Sequence, residues 1–411
     1  MKKIICLIVL LACIIFIFPK EKKIEEVKLE NKKSNLLSMM LETRAGTGKY
    51  QKTLASSWPT EGYVFNEDLS KCEMGSSLSW DNINKKVIME GNGADKCYVY
   101  FDKTFTLAEY VKAQYTGTQG ENNLYYHDSS LENGAEDNSY RYAGSSDTTN
   151  NFVCFGYDSP DGSCPTDYLY RIIGVFNDQV KLIKYDYANS NLLGNDGDYS
   201  KYDHNDSTLY YKGELTSVNK YYWNNNTRTK EWSESELNTV NFNVNYLKII
   251  GMNWSNKIAI HTWKVGGNTY ANIRDGVVKT AYKNEITNPA TNTTYDAKIG
   301  LMYASDYGYA AASDAWTTYL WNEFSKDYSK DTVKAINWMY MGLNEYTISP
   351  DTSMTISSII IRDKGSVGTY LVYFRSDGYY QGQAVRPCFY LNFNVTYKSG
   401  VGTISSPFII E

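Results

Sequence analysis

The stretch that most constrains the fold is the run from Ala384 to Asn394, near the end of the chain. Every second residue of this run is apolar, which is the period of a β-strand with one buried face. The apolar members are Val385, Pro387, Phe389, Leu391 and Phe393. Because proline donates no backbone hydrogen bond, Pro387 predicts an edge strand or a bulge at that position. The run therefore predicts the strand that closes the largest domain.

The rest of the chain mixes alternating, strand-like segments with stretches of helical spacing, so the sequence predicts an α+β fold. Of the 411 residues, 42% are hydrophobic and 21% are charged, which is typical of a folded chain with room for two or three domains. The predicted segments are an apolar anchor (1–19), a charged stalk (20–56), a small all-β unit (57–104), a helix with a Gly/Asn/Ser-rich linker (105–151), and a large C-terminal domain (152–411).

The N-terminus indicates export. Lys2 and Lys3 precede an apolar run from Ile4 to Phe18, the pattern of an export signal. A helix of that length spans roughly 22 Å, short of the roughly 30 Å hydrocarbon core. Three interpretations stay open: a retained membrane anchor, lipidation of Cys13 in a lipobox-like Leu-Leu-Ala-Cys, or ordinary cleavage. Each predicts an exported protein, and the first two attach it to the cell membrane or surface.

The cysteines suggest two local disulfides. Cys72 and Cys97 flank one predicted hairpin, and Cys154 and Cys164 flank one loop, so each pair is close enough in sequence to form a bridge in an oxidising compartment. The alternative is that all four are reduced and buried. Cys388 remains unpaired, either as a buried strand cysteine or as a reactive thiol.

The charged residues bear on two kinds of partner, nucleic acids and metal ions. The net charge is −5 and the basic residues are dispersed, so the sequence predicts no nucleic-acid partner. An acidic cluster in a Gly/Asn-rich loop supplies oxygen ligands of the kind that Ca²⁺ prefers. Its members are Asp196, Asp198, Asp203 and Asp206. Calcium is therefore the candidate cofactor, and a solvated loop without any cofactor is the alternative.

Aromatic residues are the candidates for ligand binding. The chain has 38 tyrosines, which either reflects AT-rich codons or makes an adhesive surface, since tyrosine offers a rigid ring and a hydroxyl. Aromatic side chains in loops bind sugar faces or protein partners. The candidates are Trp316 and Trp321, in a short helix predicted over 315–324, and Tyr379 and Tyr380, beside a predicted Ser-Asp-Gly turn. The alternative is that such rings are buried and fill the core.

Three segments in order resemble the formylglycine-generating-enzyme-like branch of the C-type-lectin-like fold. Ser305–Ala311 is similar to a run that lies on a helix in that family, Asn344–Thr347 to its Trp-Glu-Trp-Thr segment, and Gln383–Cys388 to its Gly-Phe-Arg strand. The resemblance implies a C-type-lectin-like domain over 152–411. The family's enzyme uses a cysteine pair, whereas only Cys388 lies in the matching region, so oxidative catalysis is not implied.

The same resemblance implies structural roles for three residues. Trp338 and Tyr346 are expected in the core, and Arg386 is expected to pair with a carboxylate. The exported part also resembles surface proteins of gut Firmicutes through Tyr170–Gly174 and the Gly-x-Gly-Thr-x-x-x-Pro tail. That likeness implies a cell-attached protein without an assigned activity.

Three functional hypotheses follow. The first is an exported, cell-surface-attached, non-catalytic binding protein, adhesin-like, that uses Tyr/Trp-rich loops to bind a glycan or an extracellular protein. The second is a structural subunit of a surface or pilus-like assembly. The third and weakest is an enzyme on the same scaffold, since no P-loop, G-x-S-x-G or H-E-x-x-H motif occurs.

Overall fold

The structure is a computed structural model that describes residues 24–26, 37–53, 57–91, 93–159, 162–198, 210, 218–224, 229–322, 330–372 and 382–411. Strands and helices are mixed, and the fold is α+β. The chain divides into two compact units, Met1–Phe105 and Thr106–Glu411. Within the described ranges no helix has the length and apolarity needed to cross a membrane. The predicted anchor and Cys13 lie outside those ranges.

The first unit is built from strands. Those described are β1 (Ile24–Glu26), β2 (Leu37–Glu42), β3 (Tyr50–Thr53), β4 (Tyr63–Cys72), β5 (Ser77–Asp81), β6 (Lys86–Glu90) and β7 (Cys97–Lys103). They form one sheet of order β1-β6-β5 and one of order β3-β2-β7-β4. Strands β2 and β7 run parallel, and the other neighbours are antiparallel. The disulfide Cys72–Cys97 joins the end of β4 to the start of β7.

The predicted stalk over 20–56 is wrong for its C-terminal part, because β2 and β3 belong to this sheet. Met39 is buried, and Leu37 and Leu41 pack beside it against Val99 and Phe101. Alternate residues of a strand share a face, so these three apolar side chains line the core from one strand. A charged stretch just before β2 conceals this short alternation in the sequence.

The second unit contains the remaining elements. Its strands are β8 (Leu124–Tyr126), β9 (Tyr140–Tyr142), β10 (Phe152–Cys154), β11 (Leu169–Phe176), β12 (Gln179–Lys184), β13 (His261–Lys264), β14 (Thr294–Ala297), β15 (Ile299–Gly300), β16 (Glu345–Pro350), β17 (Ser357–Ile361), β18 (Val367–Leu371), β19 (Cys388–Tyr390), β20 (Tyr397–Ser399) and β21 (Ile409–Ile410). Its α-helices are α1 (Leu107–Ala113), α2 (Ser190–Leu193), α3 (Leu247–Ser255), α4 (Tyr270–Arg274), α5 (Val278–Tyr282), α6 (Ala304–Tyr309) and α7 (Lys330–Ile336). Further 3₁₀ or π-helical segments occupy Glu121–Asn123, Thr166–Tyr168, Trp232–Glu234, Leu237–Tyr246, Lys283–Thr287 and Ser313–Thr317.

The main sheet of this unit has the order β15-β19-β12-β11-β9-β8, with β10 also paired to β11. Its centre is the β11–β12 hairpin, whose turn residues Asn177 and Asp178 both have positive φ, 46° and 66°. Asparagine and aspartate tolerate that conformation, and such turns match the twist of a hairpin. Further antiparallel pairs are β13-β14, β16-β17-β18 and β20-β21.

The closing strand differs from the prediction in two ways. Strand β19 lies inside the sheet, between β12 and β15, and both of its faces are buried. Pro387 precedes the strand, so its missing N–H removes no ladder bond, and its carbonyl accepts from the Lys184 N–H at 3.0 Å. The prediction of an edge strand is therefore wrong. Phe393, assigned to the buried face, lies beyond the strand and is exposed.

The predicted linker is also wrong. Strands β8 and β9 come from residues 105–151 and belong to the main sheet. The polar residues between them make turns: Asp128 accepts from the Ser130 N–H at 2.9 Å, and Asp137 accepts from the Ser139 N–H at 3.1 Å. Aspartate and serine side chains form hydrogen bonds with nearby backbone N–H groups in turns. The Gly/Asn/Ser/Asp composition thus reflects ordered turns.

Candidate functional site

The two tryptophans predicted to bind ligands, Trp316 and Trp321, have opposite surroundings. Trp316 is only 1% exposed. Its indole N–H donates to the Ala311 carbonyl at 3.0 Å, and its ring centroid lies 5.0 Å from that of Tyr125 and 5.4 Å from that of Tyr309. The prediction is wrong for Trp316, because the turn Ser313–Thr317 packs this ring into the core.

Trp321 lies on the surface and its backbone is held firmly. It is 53% exposed, and Tyr319 is 52% exposed, whereas Leu320 between them is buried. The Trp321 N–H donates to the Arg274 carbonyl at 3.0 Å, and the Val367 N–H donates to the Leu320 carbonyl at 2.7 Å. The segment is therefore fixed between α4 and β18, with its two aromatic side chains on the outside.

Polar side chains occur at the C-terminal end of α4 and directly after it, where the Arg274 carbonyl accepts from the Trp321 N–H. The Arg274 guanidinium lies 4.4 Å from the ring centroid of Tyr270, and its Nη2 donates to Asp275 Oδ2 at 2.6 Å. This hydrogen bond holds the pKa of Asp275 below its usual value. We call Tyr270, Arg274, Asp275, Tyr319 and Trp321 the Trp321 surface. It offers aromatic faces, hydrogen-bond donors and a carboxylate acceptor, the groups that recognise a sugar or a peptide.

The acidic cluster is described only in part. Four predicted residues lie outside the described part of the chain: Asp203, Asp206, Tyr379 and Tyr380. Asp198 Oδ2 accepts from Asn219 Nδ2 at 2.7 Å, and Asp196 is exposed. Burial, followed by these two carboxylates, raises the pKa of Tyr221. Among the described residues no three His, Cys, Asp or Glu side chains are grouped as metal ligands, and calcium remains a prediction.

A buried charge network, which sequence reasoning missed, lies at the centre of the second unit. Lys181 Nζ is 2.6 Å from Asp306 Oδ2, and Arg141 Nη1 is 3.9 Å from Asp306 Oδ1. Arg141 Nη2 is 2.5 Å from Asp137 Oδ2. Two cations thus face two carboxylates, which is the balance that buried charges need. The sequence signal was a lysine, Lys181, inside the apolar strand β12.

Aromatic rings surround the lysine of this network. The Lys181 ammonium lies 4.8 Å from the ring centroid of Tyr303 and 5.2 Å from that of Tyr390. Burial alone would lower the pKa of Lys181, but the Asp306 carboxylate outweighs it and raises the pKa. His261, stacked on Tyr390 at 3.8 Å, has its pKa lowered to about 4 by burial and by Lys181. The network therefore joins β9, β12 and α6 as a structural element.

The residues expected to be structural lie in the core. Arg386 Nε is 2.7 Å from Glu345 Oε1 and its Nη2 is 2.8 Å from Oε2, a bidentate pair. Trp338 and Tyr346 are buried. Cys388 is a free, buried cysteine, and burial raises the pKa of its thiol to about 12. Such a thiol is protonated at neutral pH and is a poor nucleophile.

Comparisons of the chain with protein-family models, with curated proteins and with solved structures find no match. No function is therefore transferred to this protein from a relative.

Proposed function

We propose that this chain is an exported, cell-attached, non-catalytic binding protein whose Trp321 surface contacts a glycan or an extracellular protein. The observation that carries the proposal is the 53% exposure of Trp321 on a backbone fixed by the buried Leu320. A rigid aromatic side chain offers a large contact area and loses little conformational entropy on binding. Arg274 and Asp275 add the polar groups that orient a ligand.

Export is supported by two independent features. The apolar run from Ile4 to Phe18 has the pattern of an export signal. Within the described part of the chain, Cys72–Cys97 and Cys154–Cys164 form disulfides. Disulfides persist in oxidising compartments and are rare in the cytosol. A membrane attachment through the N-terminal segment is part of the same proposal.

A C-type-lectin-like fold for residues 152–411 is also proposed, and contacts between two of the three resembling segments support it. The Tyr346 N–H donates to the Ala384 carbonyl at 3.2 Å, and the Ala384 N–H donates to the Asn344 carbonyl at 3.0 Å. The Arg386–Glu345 pair joins the same two segments. The segment that resembles the family's helical run overlaps α6.

The test is a glycan and extracellular-matrix array probed with the full-length protein in detergent, with and without calcium. We expect wild-type protein to bind at least one probe and Trp321→Ala to bind it about tenfold or more weakly. Phe393→Ala, an exposed aromatic residue of another loop, is the matched control and should bind normally. Absence of binding under both conditions, or binding of every probe by Trp321→Ala as by wild type, contradicts the proposal.

A second candidate function is that of a subunit in a surface assembly. Exposed apolar residues favour it, since they flank a backbone hydrogen bond that joins two segments. The Asn392 N–H donates to the Lys257 carbonyl at 2.9 Å. Met252, Ile260 and Phe393, close in sequence to this contact, are exposed. Apolar residues of this kind mark protein–protein contacts when they form a patch. Sedimentation should then show self-association that Phe393→Lys weakens, and a monomer at every concentration contradicts this function.

A further inference from the structure

The first unit carries an open concavity of about 450 Å³ on one face of the sheet β3-β2-β7-β4. The concavity is lined by Ser38, Met40, Lys52, Lys96, Tyr98 and Tyr100. On β2 and β7 these residues alternate with the core residues Met39 and Val99. The concavity therefore lies on the face of the sheet that points away from the core. Its volume is within the range of ligand sites in proteins, about 300–1,000 Å³.

Tyrosine rings contribute much of this lining. Tyr98 and Tyr100 are two residues apart on β7 and share the outer face. The Tyr100 ring packs edge-on against Tyr50, with 5.0 Å between the ring centroids. The Tyr50 hydroxyl in turn donates to the Asp102 carboxylate. These contacts hold Tyr100 in place before any ligand binds, which reduces the entropy lost on binding.

The charged lining residues differ in what they contact. Lys52 is exposed, and its ammonium makes no ion pair or hydrogen bond within the described part of the chain. Lys96 Nζ is 3.0 Å from Glu73 Oε1, and the two side chains are 43% and 51% exposed. The Tyr98 hydroxyl donates to the same Glu73 oxygen at 3.4 Å, and Lys96 Nζ lies 5.3 Å from the Tyr98 ring centroid. Exposed ion pairs contribute little to stability, so a ligand can rearrange this one at small cost. The concavity thus combines an available cation with a second ammonium that has a carboxylate beside it.

We propose that this concavity binds a saccharide that carries an anionic group, a carboxylate or a phosphate. Tyrosine faces stack on the C–H face of a sugar ring. The Lys52 ammonium would pair with the anionic group, and Lys96 and Glu73 would donate to and accept from hydroxyls. An acidic peptide would use Lys52 but would leave the flat tyrosine faces without a matching partner. The proposed site uses residues of the first unit, whereas the residues of the Trp321 surface belong to the second unit.

The test is calorimetric titration of the full-length protein in detergent with trigalacturonate at low salt. Maltotriose serves as the neutral saccharide and triglutamate as the acidic peptide. We expect trigalacturonate to bind, maltotriose to bind about tenfold or more weakly, and added sodium chloride to weaken the acidic ligand selectively. Lys52→Gln should weaken trigalacturonate binding by about tenfold and leave maltotriose binding unchanged.

Control variants separate binding at this concavity from a general effect of surface charge and from binding at the Trp321 surface. Lys85→Gln changes an exposed lysine of the β5–β6 turn and should bind as wild type does. Trp321→Ala should also bind trigalacturonate normally, so failure here is distinguishable from failure of the Trp321 surface. The proposal is overturned if trigalacturonate and maltotriose bind with equal affinity, or if trigalacturonate does not bind. It is also overturned if Lys52→Gln binds trigalacturonate as tightly as wild type does. Tighter binding of triglutamate overturns it in favour of a peptide site.

Discussion

Replacing Asp306 by asparagine removes the carboxylate that neutralises Lys181 while keeping the side chain nearly the same size. The amide oxygen can still accept from the Tyr303 N–H, which lies 2.9 Å from Asp306 Oδ2, so the start of α6 is retained. Lys181, whose side chain is 1% exposed, then loses its counter-ion at 2.6 Å. Breaking a buried pair by removing one partner costs about 3–5 kcal/mol. We expect the free energy of unfolding of the second unit to fall by that amount.

Urea denaturation followed by tryptophan fluorescence measures this change. The double variant Lys181→Met/Asp306→Asn should be more stable than Asp306→Asn, because no unpaired charge remains, and the cycle should show coupling of about 2 kcal/mol or more. Asp178→Asn breaks the exposed pair with Lys112 and should cost less than about 1 kcal/mol. A loss below about 1 kcal/mol for Asp306→Asn, without coupling, refutes the buried ion pair.

Three further predictions follow from buried or closely packed groups. The pKa of His261 is about 4 when folded and 6.5 in the reference state. The unfolded chain therefore binds more protons between these pH values, and the free energy of unfolding falls on acidification by up to about 3 kcal/mol. Urea titrations at several pH values should show that His261→Gln reduces this pH dependence. A Cβ on Gly174 would lie 2.3 Å from the Tyr140 carbonyl oxygen. Gly174→Ala should therefore lower the free energy of unfolding by about 1–3 kcal/mol, and with it the thermal midpoint. An unchanged midpoint contradicts this packing. Cys388, buried and protonated, should resist iodoacetamide at neutral pH until the protein is unfolded, as mass spectrometry can show.

Local elements were predictable because their signals are local. The β11–β12 hairpin has apolar flanks around Asn177-Asp178, two residue types that accept positive φ. Helix α1 follows Thr106, which forms a capping box with Glu109, and its apolar residues have helical spacing. The cysteine spacings likewise suggested the two bridges that the structure contains.

Elements whose position depends on distant partners were not predictable. Strand β19 is interior because β12 and β15 pair with it from both sides. In the sequence only every second residue of this run is apolar, which indicates one buried face. The pattern does not show that the other face is buried as well. The sequence predicts a linker where β8 and β9 lie, because three-residue strands between Asn- and Gly-rich turns leave no periodic signal.

The sequence by itself determined the α+β class and the presence of several strands and turns, since these depend on composition and neighbouring residues. The tertiary structure alone decided which side chains are buried. Trp316 and Trp321 are alike in sequence, yet only Trp316 meets Tyr125 and enters the core. Lys181 and Asp306 are 125 residues apart in sequence and meet at 2.6 Å. Burial is a property of contacts between distant segments, so a local pattern does not reveal it.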